Sequence, residues 1–211
     1  MNNDMNQNLQ RYNANERSNH WGVAILFILA GLSGLALFHP ALFWLSNLFG
    51  GGTWTRILHP FIGVAMTILF VLMVFRFAGR NRIKAHDRKW LSQWRQVVNN
   101  REEGVPPAGK YNGGQKLLFW VLVFSMLLLF ISGIVIWRAY FSGFFAVGLI
   151  RFASVIHAFF AFVLISSIIV HIYAAIWVKG SVAAMLYGKV SWAWARKHHR
   201  LWYDEMRKKQ R

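Results

Sequence analysis

Eight histidines and no cysteine bound the chemistry open to this 211-residue chain. Two of them, His157 and His171, lie in Arg151–Lys179, where the 27 intervening residues include no Asp, Glu, Lys or Arg. On a helix their 14-residue spacing is nearly four turns. That leaves both on one face, within about 40°, and about 21 Å apart along the axis. The run would be roughly 40 Å long against ~30 Å of hydrocarbon, enough to cross a bilayer. Imidazole at membrane depth is costly unless it faces a bundle interior or a bound group. Neutral imidazole is an ordinary axial ligand of haem iron, and a low-spin electron carrier needs both axial positions filled. One helix with an imidazole near each membrane surface would hang two haems in a stack across the membrane.

Such a stack needs partner imidazoles and helices to carry them. Three further apolar runs supply the helices, giving spans at about 21–38, 56–76, 117–137 and 151–178. The expected fold is an all-α integral membrane protein, a four-helix transmembrane bundle over 20–179. A polar N-terminal segment (1–19), frayed at its start, and a basic tail (180–211) flank it. Gly31 and Gly34 in the first span would let a helix or a flat macrocycle approach closely. Pro60 is expected in the first turn of the second span, where a missing N–H costs nothing. Between spans two and three, Ala85–Asn99 reads as an amphipathic surface helix and Gly104–Gly114 as a Pro/Gly-rich loop.

Charge orients the bundle. The 76–116 connector carries ten basic residues and the tail from Lys179 carries nine, whereas the two remaining connectors hold only Arg56, Arg138 and Arg151. The positive-inside rule therefore places both termini and the long connector in the cytoplasm. Tryptophans 21, 44, 54, 137 and 177 fall near span ends, as interfacial anchors do. A net charge of +17 would suggest nucleic acid in a soluble protein, but here the basic residues flank apolar runs, so no nucleic-acid partner is expected. No secretory signal is evident, and the first apolar run reads as a retained helix.

With that orientation the histidines sort by depth. His20 opens the first span and His171 lies near the inner end of the fourth, both on the cytoplasmic side. His59 opens the second and His157 lies near the start of the fourth, both on the outer side. Two pairs suit two bis-histidine haems b, and without cysteine no covalent c-type attachment can form. His39, also on the outer side, rivals His59, while His86, His198 and His199 read as solvated. A catalytic zinc site would want three ligands at one depth, and no span contains a carboxylate.

Several stretches carry a resemblance: RYNANERSNHW (11–21), RILHPFIGV (56–64), GKYNGGQK (109–116), SGIVIWRAYF (132–141), the whole of 151–181 and AWARKHHRLWY (193–203). In order and spacing, and in loops as well as spans, the chain from about Arg11 resembles the cytochrome b556, or gamma, subunits of respiratory membrane-bound formate dehydrogenases. The Asn-rich first ten residues look like an extension. The resemblance implies two haems b, with His59 and His157 on the outer (periplasmic) iron and His20 and His171 on the cytoplasmic one. It also implies a menaquinone pocket at Asn112, Gly114 and His171. Gly113 stands where members carry a larger residue, which makes a roomier pocket the expectation.

The function this implies is electron transfer in anaerobic respiration, in a bacterial inner membrane. An Fe–S beta subunit on the outer face would deliver electrons from a catalytic molybdenum or tungsten alpha subunit, and menaquinone would be reduced at the cytoplasmic side, generating membrane potential. The resemblance further implies a trimer of heterotrimers, and the basic tail and connector should meet anionic lipid such as cardiolipin. No formate chemistry belongs to this chain; it is a redox relay with a quinone site, an enzyme only within the complex. The cytochrome b subunit of a nickel–iron hydrogenase shares the two-haem, four-span plan, and a haem-free membrane anchor is the alternative from another class.

Overall fold

The structure is a computed structural model that describes residues 8–99 and 104–210. A short strand, β1 (Asn8–Gln10), precedes the first long helix, α1 (Ala14–Phe38). Asn13 and Glu16 start α1 reciprocally: Asn13 N–H donates to Glu16 Oε2 and Glu16 N–H donates to Asn13 Oδ1, both at 2.8 Å. Two orphan donors of the first turn are satisfied in this way. His39 caps a 3₁₀ segment, Pro40–Phe49, by accepting the Ala41 N–H at 3.2 Å. Gly50 closes that segment at φ 85°, a left-handed conformation that glycine tolerates best.

The second long helix, α2 (Gly52–Phe77), is followed by two short ones, α3 (Ala85–Ser92) and α4 (Trp94–Val98). Then come the long helices α5 (Gly113–Ile136) and α6 (Val147–Trp177). The tail folds as α7 (Ser181–Tyr187), β2 (Lys189–Ser191), α8 (Trp192–His198) and α9 (Arg200–Lys209). The four long helices are each long and apolar enough to cross a membrane.

The structure corrects the expected boundaries. The long helices begin outside their uncharged cores, and at α1 and α5 a reciprocal side-chain cap sets the start. Thus α1 opens at Ala14 rather than Trp21 and takes in Glu16, and α6 opens at Val147 and takes in Arg151. His20 and His59 therefore sit inside helices instead of opening them. Pro60 is interior to α2, the ninth residue of the helix, so the bond its N–H would make to Arg56 is missing. The expected surface helix over 85–99 is broken at Gln93. The expected fraying of the N-terminal start falls on residues 1–7, outside the described residues, whereas Asn8–Gln10 is an antiparallel strand pairing Leu9 with Val190.

The chain packs as two compact units. The first comprises the residues up to Arg17, Phe75–Trp120 and His171 onward; the second comprises Ser18–Val74 and Val121–Val170. In the second unit all four long helices feed one apolar core, in which Ala30, Met66, Phe70, Met126 and Leu164 are buried. In the first, Leu9, Ala184, Val190, Trp192, Ala195 and Trp202 form a separate core beneath the tail. Arg11, 3% exposed, lies within 5.0–5.8 Å of the ring centres of Tyr12, Tyr111, Trp194 and Trp202. Its Nη2 donates to the Lys110 carbonyl at 2.7 Å.

His199 corrects the expectation of a solvated side chain: it is 3% exposed. Its Nε2 lies 3.2 Å from Arg11 Nη2, which can only donate, so Nε2 accepts and Nδ1 carries the proton. That proton goes to the Gly109 carbonyl at 2.7 Å. Burial first, and then the Arg11 charge, lowers the His199 pKa to about 3.

Candidate functional site

His59 on α2 and His157 on α6 meet in the second unit. Their ring centres are 6.3 Å apart and their planes cross at 77°. A metal ion binds an imidazole nitrogen at about 2.0 Å, and the ring centre lies about 1.15 Å further on, so two imidazoles opposed across one ion have centres about 6.3 Å apart. The observed separation would accommodate one ion held between the two rings.

The other nitrogen of each ring is held by a serine one helix away. Ser33 Oγ on α1 lies 2.9 Å from His59 Nδ1, and Ser132 Oγ on α5 lies 3.0 Å from His157 Nδ1. Each hydroxyl also contacts a carbonyl four residues back in its own helix: Ser33 to Leu29 at 2.7 Å and Ser132 to Leu128 at 2.6 Å. A carbonyl oxygen has no proton, so contacts this short require the serine proton to lie there. Each serine oxygen is then an acceptor, and each histidine donates through Nδ1–H. The tautomer this leaves has the Nε2 lone pair for a metal.

A glycine beside each serine makes space for the ring. A Cβ on Gly34 would stand 3.1 Å from His59 Cε1, and one on Gly133 would stand 3.4 Å from His157 Cε1. Gly34, expected to admit a helix or a macrocycle, admits an imidazole. The open face of Gly31 instead belongs to a groove lined by Phe27, Ile28, Leu32, Leu35 and Ile165. The residues present fit a bis-imidazole metal group.

These two half-sites repeat. Ser-Gly on one long helix is followed by His on the next, after 26 residues in the first case and 25 in the second. Sequence reading singled out the histidines and missed the serines. The duplicated Ser-Gly…His spacing was the signal that would have found them. His39, the rival for the outer site, is exposed and spends Nδ1 on its helix cap. His20 lies in the second turn of α1, edge-on to Trp21 at 5.4 Å between ring centres. His171 is half-buried six residues before the end of α6.

Residues 11–188 match the family model of the prokaryotic cytochrome b561 proteins. The cytochrome b556(fdo) subunit of formate dehydrogenase from Escherichia coli K12 is 48% identical over 94% of this chain and 93% of that protein. The nitrate-inducible cytochrome b556(Fdn) subunit of the same organism is 42% identical over 92% of this chain and 89% of its own. The formate dehydrogenase cytochrome b556 subunit of Haemophilus influenzae is 38% identical over 92% and 82%, respectively. The chain belongs to the formate dehydrogenase cytochrome b556 subunits.

For a b556 subunit the other stretch of interest is the loop before α5. Asn112 and Gln115 cap that helix reciprocally: Asn112 Oδ1 accepts the Gln115 N–H at 2.9 Å, and Gln115 Oε1 accepts the Asn112 N–H at 3.0 Å. The Asn112 carbonyl is thereby committed, and its Nδ2 is the donor end. The space beside the glycines holds α3. A Cβ on Gly113 would meet the Asp87 carbonyl oxygen at 2.9 Å and the Trp90 ring at 3.0 Å, and one on Gly114 would meet the same ring at 3.2 Å. Gly113 thus allows close packing of a helix where a roomier pocket was expected. Trp90 walls this loop. Next to it, Lys116 Nζ donates to Asp87 Oδ2 at 2.7 Å.

Proposed function

We propose that the chain is the dihaem membrane subunit through which a respiratory formate dehydrogenase reduces menaquinone. Membership of a cytochrome b family implies haem b, and the names of the relatives place them in formate oxidation. Bound haem b would supply one-electron carriers at two depths. The observation that carries the reading is the His59–His157 pair: ring centres 6.3 Å apart, each Nδ1 turned to a serine, in a helix core where imidazole is otherwise expensive.

In this reading His59 and His157 hold the outer haem, and His20 and His171 hold the cytoplasmic one. Asn112 donates through Nδ2 to a quinone carbonyl. Gly114 and His171 complete the pocket, and protons enter from the cytoplasm. The basic connector and tail mark that side by the positive-inside rule. Electrons arrive from an Fe–S beta subunit on the outer face, fed by the molybdenum- or tungsten-containing alpha subunit. The setting is the bacterial inner membrane, with anionic lipid around the basic segments and a trimer of heterotrimers as the assembly. Inward electron movement, with proton uptake inside, generates membrane potential without a proton channel.

A reduced-minus-oxidised spectrum with haem quantitation tests this, on the wild type and on His→Ala variants at 20, 59, 157 and 171. The expected result is two haems, one lost with His59 or His157 and the other with His20 or His171. Less than one haem in a folded wild type supplied with haem sinks the reading.

A further inference from the structure

We propose that Ser33 and Ser132 are positioning residues: each accepts the Nδ1–H of one outer histidine, and together they hold His59 and His157 in the Nε2-binding tautomer with their planes near perpendicular. The proposal rests on the haem reading above and deepens it for the outer site.

Three observations carry it. Each serine is buried, at 0% for Ser33 and 4% for Ser132, so water does not compete for its oxygen. Each is itself oriented by its carbonyl contact four residues back, with a second at three residues (Ala30, 3.1 Å; Leu129, 3.2 Å). Each ring is also confined by the adjacent glycine: side-chain bulk there would reach Cε1, so the imidazole has one wall and one acceptor. A ring with both fixed cannot turn freely about its bond to a metal. The duplicated arrangement holds the two rings at 77°.

Two consequences follow from general ligand chemistry. A hydrogen bond accepted from Nδ1–H makes the imidazole a stronger donor, which favours the ferric state. Perpendicular axial planes leave two iron d orbitals nearly equal in energy. The ferric electron paramagnetic resonance signal is then a single strongly shifted low-field feature instead of the three-line rhombic pattern of coplanar rings.

The test uses the intact membrane complex, wild type and with Ser33→Ala, Ser132→Ala or the corresponding Ser→Thr replacements. Haem content, the resonance signal of the oxidised protein and optical redox titration are read together. The expected wild-type spectrum has a low-field feature that His59→Ala abolishes. Each alanine variant keeps its haem, moves that feature toward the rhombic pattern and raises one midpoint potential, while threonine restores both. A rhombic wild-type signal from the His59-dependent haem overturns the proposal, as do alanine variants with unchanged signal and potential. If neither alanine variant assembles, the wild-type signal alone decides. Failure of the underlying haem reading looks different: His59→Ala and His157→Ala would then leave haem content undiminished.

Discussion

Asp87 and Lys116 meet at 2.7 Å with side chains only 2% and 6% exposed. The carboxylate also accepts the Lys84 N–H at 2.8 Å, which fastens the start of α3 to the start of α5. Burial by itself would raise the Asp87 pKa, but the Lys116 hydrogen bond, the Lys84 N–H and the Lys116 charge hold it below the ordinary value of 3.8. A depressed carboxylate stabilises the fold above its unfolded pKa and loses that contribution as pH falls through the folded value. Asp87→Ala leaves a buried ammonium unpaired and should cost about 3–5 kcal/mol, whereas Asp87→Leu with Lys116→Met should be close to neutral. Thermal unfolding in detergent measures both, and an Asp87→Ala protein as stable as wild type would refute the claim.

Acid should loosen the tail through His199. The unfolded chain binds its proton near 6.5 and the folded protein near 3, so between those values the unfolded state holds more protons and stability rises with pH. Going from neutral pH to pH 5 should weaken docking of α8 and α9 by about 2 kcal/mol. His199→Gln should flatten this dependence. Proteolysis of the tail against pH reads it, and parallel curves for the two proteins would exclude His199 as the cause.

The two glycines beside His59 and His157 are unequal. Gly34→Ala forces a Cβ to 3.1 Å from His59 Cε1, while Gly133→Ala brings one to 3.4 Å from His157 Cε1, within ordinary contact. Overpacking of a close-packed interior costs about 1–3 kcal/mol, so Gly34→Ala should lower occupancy of the haem proposed at His59 and His157 clearly more than Gly133→Ala. Haem per chain in the purified variants decides the order.

Asn112 offers a separation of structure from function. Asn112→Asp keeps an oxygen to cap α5 but removes the Nδ2 donor, whereas Asn112→Ala loses the cap as well, at about 1 kcal/mol. If the quinone site is here, both should slow quinol formation, with only the alanine variant destabilised. Wild-type quinone reduction by Asn112→Asp would move the site elsewhere.

The α class and the four apolar helices were legible because their causes are local. A bilayer demands about 20 apolar residues per span, and charge-free runs show this directly. Caps such as Asn13–Glu16 and Asn112–Gln115 are also local, and attention to them would have placed both helix starts.

Tertiary structure alone decided which groups fill the space around those residues. Lys116 reads as one more connector cation, and only folding brings Asp87 to it across 29 residues. His199 reads as a solvated histidine in a basic tail until Arg11, 188 positions away, closes over it. Ser33 and Ser132 read as small residues in apolar spans; their role exists only because neighbouring helices deliver an imidazole to each. By itself, the chain's alphabet determined what must avoid water and which side chains can bind a metal. The three-dimensional packing determined which nitrogen each histidine offers, because a tautomer is set by the acceptor on the far side of the ring.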